Sequence, residues 1–352
     1  MSIVTRARMV ARHTAIRGGL IASFALSRAG LLKAARGRGA VFTLHHVRPE
    51  ASRPFAPNGH LEITPDFLET AILALKSQGY RFISTDALAT ITEDGDPRPF
   101  ACFTLDDGYR NNLEHAAPVF ARHGVPFTVY VTAGFIHRSH TLWWETATEL
   151  LTRNNRVTLD FGDGPRSFAL DDYAARDKAF DHIAGFIRGT TGQLSEAEAV
   201  ARLDAAARAH GIDPVAITER LTLCSDGIAA LAAVKGATIG AHTVTHAALS
   251  RLPEATALGE MVASADAIEA ITGTRPRSFA YPYGDRSAVS IREQRLAEQA
   301  GFLTAVTTRP GIVATRPALT LQPRISLNGY YQRALYVRAL ASGIPFRLMA
   351  GG

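Results

Sequence analysis

Cysteine is scarce in this chain: Cys102 and Cys224 are the only two in 352 residues, far apart and without thiolate metal-site spacing. A disulfide framework is therefore excluded, and Cys102, set in the apolar run PFACFTL, reads as a buried reduced thiol. Long apolar stretches are missing as well. The best, Gly18 to Ser27, is too short to span a bilayer, and Arg17, Arg28 and Lys33 interrupt anything longer. Acidic residues are absent from the first 40 positions, which hold eight of the 38 basic residues. The 30 basic residues that remain face 32 acidic ones, so everything after this leader is near neutral. That balance counts against nucleic acid as the partner of the folded body. The leader mixes Arg6, Arg8, Arg12 and Arg17 with Ile16, Leu20, Ile21 and Phe24. It suits either a peripheral contact with an anionic membrane or a solvated extension. It also imitates a secretion signal, but no convincing small-residue cleavage site precedes Arg28, so a cytoplasmic or membrane-peripheral chain is favoured over an exported one.

What is present is an ordinary globular composition, 47% hydrophobic and 20% charged, with short apolar runs alternating with helical patterns. AVFTLHHV (40–47), YRFIS (80–84), PFACFTL (99–105) and PFTVYVT (126–132) read as strands. So do ATIGA (237–241), RSFAYP (277–282), FLTAVTT (302–308) and LTLQPRISL (319–327). Helices are expected between them, at 64–79 with Thr64 as cap and Pro65 first, and at 112–124, 253–273 and 291–301. Alternation of this kind predicts an α/β fold, a parallel sheet with enough units to close a barrel. Residues 143–225 break the rhythm with a hairpin at 156–170 and two further helices, and are expected as an insertion, a candidate lid. The divisions are a leader at 1–39, a barrel at 40–345 carrying that insertion, and a tail at 346–352.

Four stretches carry chemistry, each just after a strand. In TLDDG, Thr104 to Gly108, two adjacent carboxylates are electrostatically awkward unless something positive stands near, and the glycine permits a sharp turn. In HTVTH, histidines 242 and 246 share one face if the segment turns helically, so both imidazoles reach one cation. FAYPYGD (279–285) is a rigid aromatic turn, and LHHV (44–47) places His45 and His46 in an apolar strand, where a satisfied core histidine is the default. Each is weak alone. Together they fall where parallel barrel strands deliver their C-terminal ends, the face on which such barrels do chemistry.

On TLDDG, HTVTHAALSRL and FAYPYG, in that order, with LHHVRP, LWWE, TTRPG and LQPRI in support, the chain resembles the polysaccharide deacetylases of carbohydrate esterase family four. These share the NodB-homology domain, and FAYPYG suggests a subgroup. The resemblance implies a distorted (β/α) barrel of about seven strands with a helical insertion. It implies Asp107, His242 and His246 as ligands of a divalent metal, zinc by default, and Asp106 as the general base. It implies Tyr283 as a backbone oxyanion donor and Arg324 as a residue that orients the base or the acid. The family's arginine before the Pro-Tyr loop is replaced by Ala280 and Tyr281, and its late Leu-x-Leu-His motif is absent, since LTLQPRI holds no histidine. The general acid then falls to His45, with His46 the neighbouring alternative; strand alternation lets only one of them face the interior. The implied activity is N-deacetylation of an amino-sugar polysaccharide or oligosaccharide, chitooligosaccharide-like, peptidoglycan or exopolysaccharide. An O-acetyl esterase or another amidase on the same metal site, and a non-catalytic sugar-binding protein, are the alternatives.

Overall fold

The computed structural model describes residues 3–91, 95–315 and 318–350, with residues 3–10 and Ala350 as backbone alone. The last two tail residues and the first two of the leader lie outside the described residues. Seven parallel strands close into a ring in chain order: β1 Gly39–Leu44, β2 Phe100–Leu105, β3 Phe127–Val131, β4 Ala237–Ala241, β5 Ser278–Ala280, β6 Thr304–Pro310 and β7 Gln322–Ser326. β1 seals the ring, pairing with β2 from Gly39↔Phe100 to Leu44↔Leu105 on one side and with β7 at Phe42↔Ile325 on the other. β1, β2 and β3 are buried along their whole length, because side chains of alternate parity face the barrel interior or the surrounding helices. Val41, Phe100, Cys102 and Tyr130 fill the interior, while Phe42, Phe103 and Phe127 pack outward with helix residues such as Leu68 and Phe120.

That parity aims the site. Continuing the inward series on β2 through Cys102 and Thr104 brings Asp106 to the mouth, and the series on β1 through Val41 and Thr43 brings His45 there. The expected strand at 80–84 shrinks to Arg81–Ile83 and stays outside the ring. It pairs with Phe100–Cys102, the first half of β2, on the edge that β3 takes over from Phe103 onward.

The helix at Pro65–Lys76 is capped as expected, with the Phe67 amide donating to Thr64 Oγ1 at 3.1 Å. Pro118 is accommodated by a wide π-type turn at Asn112–Ala116, which leaves it in the first turn of the helix Ala117–His123, where no backbone donor is required. The insertion has an apolar core of its own, in which Leu150, Ile183, Phe186, Leu203 and Ile217 join the hairpin Arg156–Leu159/Arg166–Ala169 to its helices. The leader is an ordered helix, Ile3–Arg28, whose Leu20 packs with Tyr336 and Ala339, so the solvated-extension reading is corrected. Its polar contact is His13 Nδ1 to Tyr331 Oη at 2.7 Å. Among the described residues no helix is long and apolar enough to cross a membrane.

Candidate active site

Asp106 and Asp107 adjoin in sequence and part in space. Asp106 continues the β2 parity inward. There Arg324 of β7 donates to it twice, Nη1 to Oδ1 and Nη2 to Oδ2, each at 2.7 Å. Arg324 is itself wholly buried and is held by Thr104 Oγ1 at 3.1 Å and the Thr307 carbonyl at 2.7 Å. Burial works to raise the Asp106 pKa, but the Arg324 guanidinium outweighs it and keeps the carboxyl below its ordinary value. Of the two partners expected for Arg324, it is Asp106 that it contacts.

Asp107 would point outward if the strand continued. Its backbone instead takes a left-handed turn, φ 73°, which swings the carboxylate back over the mouth. The following Gly108, φ 69°, fits only because it lacks a Cβ, which would stand 2.9 Å from Val131 Cγ1. The turned carboxylate meets both histidines: Asp107 Oδ1 lies 3.5 Å from His242 Nε2 and 3.4 Å from His246 Nε2. These three residues offer ligand atoms within 4.8 Å of one another, and all three are buried. The histidines do not share a helix face. The segment after β4 is a looped turn in which Thr243 (φ 65°) and His246 (φ 61°) are left-handed, and this fold-back, rather than helical spacing, brings the imidazoles together.

The cluster fits a cation better than a hydrogen-bonded triad. Asp107 Oδ1 is buried with no hydrogen-bond partner, at contacts too long for good hydrogen bonds. His242 Nδ1 lies 2.6 Å from the Ala280 carbonyl, so that nitrogen carries the proton and Nε2 presents a lone pair to the cluster. Burial opposes the Asp107 charge, yet the two imidazoles hold its pKa well below the usual range. Burial likewise lowers His242, and Asp107 more than reverses this. Asp107, His242 and His246 are therefore the residues that would hold a divalent metal.

His45 takes the inward position. Its Nε2 stands 3.9 Å from Asp106 Oδ2 and it lines the cavity, with a pKa lowered by burial against the pull of the two aspartates. His46 points away, stacked at 3.6 Å between ring centroids on Tyr109, with Nδ1 2.8 Å from Asn111 Nδ2. Tyr283, φ 59°, stands on the loop after β5, turned by Gly284, where a Cβ would meet the Thr308 amide at 2.6 Å.

Several participants escape a sequence reading. Trp143 Nε1 donates to Tyr283 Oη at 3.0 Å, and Tyr283 Oη donates to Glu196 Oε1 at 2.6 Å. Glu196, on the insertion helix Glu196–Ala209, also accepts the Ala248 amide at 3.1 Å, two residues past His246. Glu260 Oε2 accepts the amides of Val244 and Thr245, at 2.8 and 3.0 Å, inside the histidine loop. Trp144 packs its ring 4.9 Å from that of His246 and donates to Tyr109 Oη at 2.9 Å. The tryptophans are visible in LWWE; the two glutamates carry no local signal. Of these, Trp143, Trp144 and Tyr283 line a cavity of about 440 Å³, whose other lining residues include His60, Leu61, Phe180 and Arg188. Asp106, Asp107, His242 and His246 lie in it, and the insertion supplies one side.

The polysaccharide deacetylase family model matches residues 203–304, a stretch that contains HTVTH and FAYPYG. No curated protein gives a significant sequence match. Among solved structures, the deacetylase PplD of Streptococcus pyogenes in complex with acetate is similar at TM-score 0.54 and 15% identity, covering 82% of this chain and 92% of its own. IcaB from Ammonifex degensii gives 0.51 and 18%, covering 86% and 98%. A polysaccharide deacetylase from Bacillus cereus gives 0.52 and 17%, covering 87% and 68%. At these identities the likeness is one of fold, and it bears out the seven-stranded barrel.

Proposed function

We propose that this chain is a polysaccharide deacetylase, a hydrolase of carbon–nitrogen bonds other than peptide bonds, that removes N-acetyl groups from an amino-sugar polysaccharide or oligosaccharide in a metal-dependent reaction; the family match over residues 203–304 supports this reading. The observation that carries this reading is the division of labour between adjacent carboxylates: Asp107 faces two imidazoles, and Asp106 is held ionised by Arg324 at the same mouth. A binding protein needs the first arrangement only. The second supplies a base.

The residues have distinct tasks. Asp107, His242 and His246 would hold the cation, zinc being the default for one carboxylate and two imidazoles. A divalent ion in such a site supplies Lewis acidity and activates water at neutral pH. Asp106 takes the proton of the attacking water as its oxygen bonds the acetamide carbon. Arg324 fixes the rotamer and charge of Asp106 throughout. The Tyr283 backbone N–H stabilises negative charge that gathers on the carbonyl oxygen. His45, 3.9 Å from Asp106 Oδ2, relays the proton that Asp106 took from water to the leaving nitrogen as the carbon–nitrogen bond breaks, giving acetate and a free amine. Trp143 and Phe180 give the cavity the flat apolar walls that suit a sugar ring.

The test is acetate release from N-acetylglucosamine oligomers by the purified chain, stripped by chelator and reloaded with zinc, beside Asp106→Asn and an O-acetylated sugar. Metal-restored release from the amide, lost in the variant, is expected. Release from the ester alone would overturn the N-deacetylase assignment, and full activity after stripping would overturn the metal.

A further inference from the structure

Residues 1–49 and 299–352 contain no aspartate or glutamate. The fold joins these two acid-free ends. Helix Ile3–Arg28 runs along helix Ala334–Ala341, and the turn Lys33–Arg36 meets helix Ile344–Ala350 so closely that a Cβ on Gly343 would strike the Ala35 carbonyl. Arg12, Arg17, Arg28, Lys33, Arg36 and Arg347 are exposed on these elements. Ile16, Ile21, Leu31, Leu32, Leu348 and Met349 are exposed there too, six of the eleven large apolar side chains exposed among the described residues. Scattered exposed leucines need no explanation, but a concentration of them between basic residues does.

We propose that this face docks the chain on an anionic membrane surface. The helix would lie in the headgroup plane, with arginine and lysine heads at lipid phosphates and the isoleucine, leucine and methionine side chains at the acyl boundary. A nucleic acid would satisfy the charge and leave six apolar side chains facing water or phosphate, whereas a lipid interface takes both. The helix spans 26 residues, about 39 Å at an α-helical rise. Its first half is joined to the active-site cavity through Tyr330, whose ring lies 5.2 Å from that of His13 and 6.3 Å from that of His60, a residue of the cavity lining.

The experiment is co-sedimentation of the full chain with phosphatidylcholine vesicles, with and without phosphatidylglycerol, over a range of salt. Ile21→Glu combined with Leu348→Glu removes apolar anchors, and Arg12→Gln combined with Arg17→Gln removes charge. Circular dichroism melting checks the fold. If the first pair lowers the melting temperature, the second carries the test. Binding that requires phosphatidylglycerol, weakens with salt and falls about tenfold in each variant is expected. Equal binding to neutral vesicles, binding to neither, or full binding by the variants would overturn the proposal. So would an oligonucleotide that binds equally well to wild type and to the apolar variant, which would make this a nucleic-acid surface.

Discussion

Two aspartates side by side meet different partners, Arg324 for one and two histidines for the other, because one residue, Asp107, adopts a left-handed backbone. Replacing Asp106 by Asn keeps the shape facing Arg324 but removes the base, so kcat should fall by about a hundred- to ten-thousand-fold with the fold retained. Arg324→Leu should instead unfold easily, since it leaves the Asp106 charge buried and alone, at a cost of about 3–5 kcal/mol seen in urea titration. His45→Ala should lose rate, whereas His46→Ala should lose stability through its stack on Tyr109 and leave KM near wild type. A separate prediction concerns Glu62, whose side chain is 14% exposed. Burial pushes its pKa up, but Arg53 and Arg48 pull it down to about 2, against an ordinary 4.5. A depressed carboxylate stabilises fully above its unfolded pKa and loses that contribution as pH falls through the folded one. Glu62→Gln should therefore cost about 1–3 kcal/mol at pH 7 in denaturant titration, a difference that shrinks between about pH 4.5 and 2. The residue list was legible because TLDDG, HTVTH and FAYPYG carry a family resemblance; alternation on β1 added only that one of His45 and His46 faces inward. The histidine pair was found for an inexact reason: spacing suggested a helix, and positive φ at Thr243 and His246 did the work.

The insertion reads in sequence as an appendage, yet its helix Glu196–Ala209 bonds the floor of the site. Glu196 joins Tyr283, on the loop after β5, to Ala248, just past the histidine loop. A glutamate in the first turn of a polar-faced helix looks like dipole compensation, and nothing local reveals a partner 87 residues away. Glu196→Gln should lower kcat several-fold while KM stays within about twofold, because it loosens the Tyr283 loop rather than the sugar-binding walls. Equal changes in both constants would mean that Glu196 serves substrate binding instead. Strands and caps, by contrast, were readable element by element, since apolar runs and Thr64-Pro65 signal locally. The strand at Arg81–Ile83 was over-read because periodicity cannot tell that β3 already occupies the rest of that edge.

For the molecule as a whole, closure of seven strands gathers residues from positions 45 to 324 at one mouth, which is why motifs scattered along the chain belong to a single site. A ligand that binds only the folded barrel stabilises it by mass action. Zinc at a hundred times its dissociation constant should raise unfolding free energy by about 2.7 kcal/mol, measured by calorimetry with and without chelator. Asp107→Asn should abolish that increment. The chain has two tryptophans. Trp143 is bonded to Tyr283, and Trp144 packs against His246. Every indole in the protein therefore borders the Asp107–His242–His246 cluster, so indole fluorescence, excited beyond the absorption of the chain's nine tyrosines, reports on this mouth alone. Occupancy of that mouth can be followed optically in real time, with no label attached.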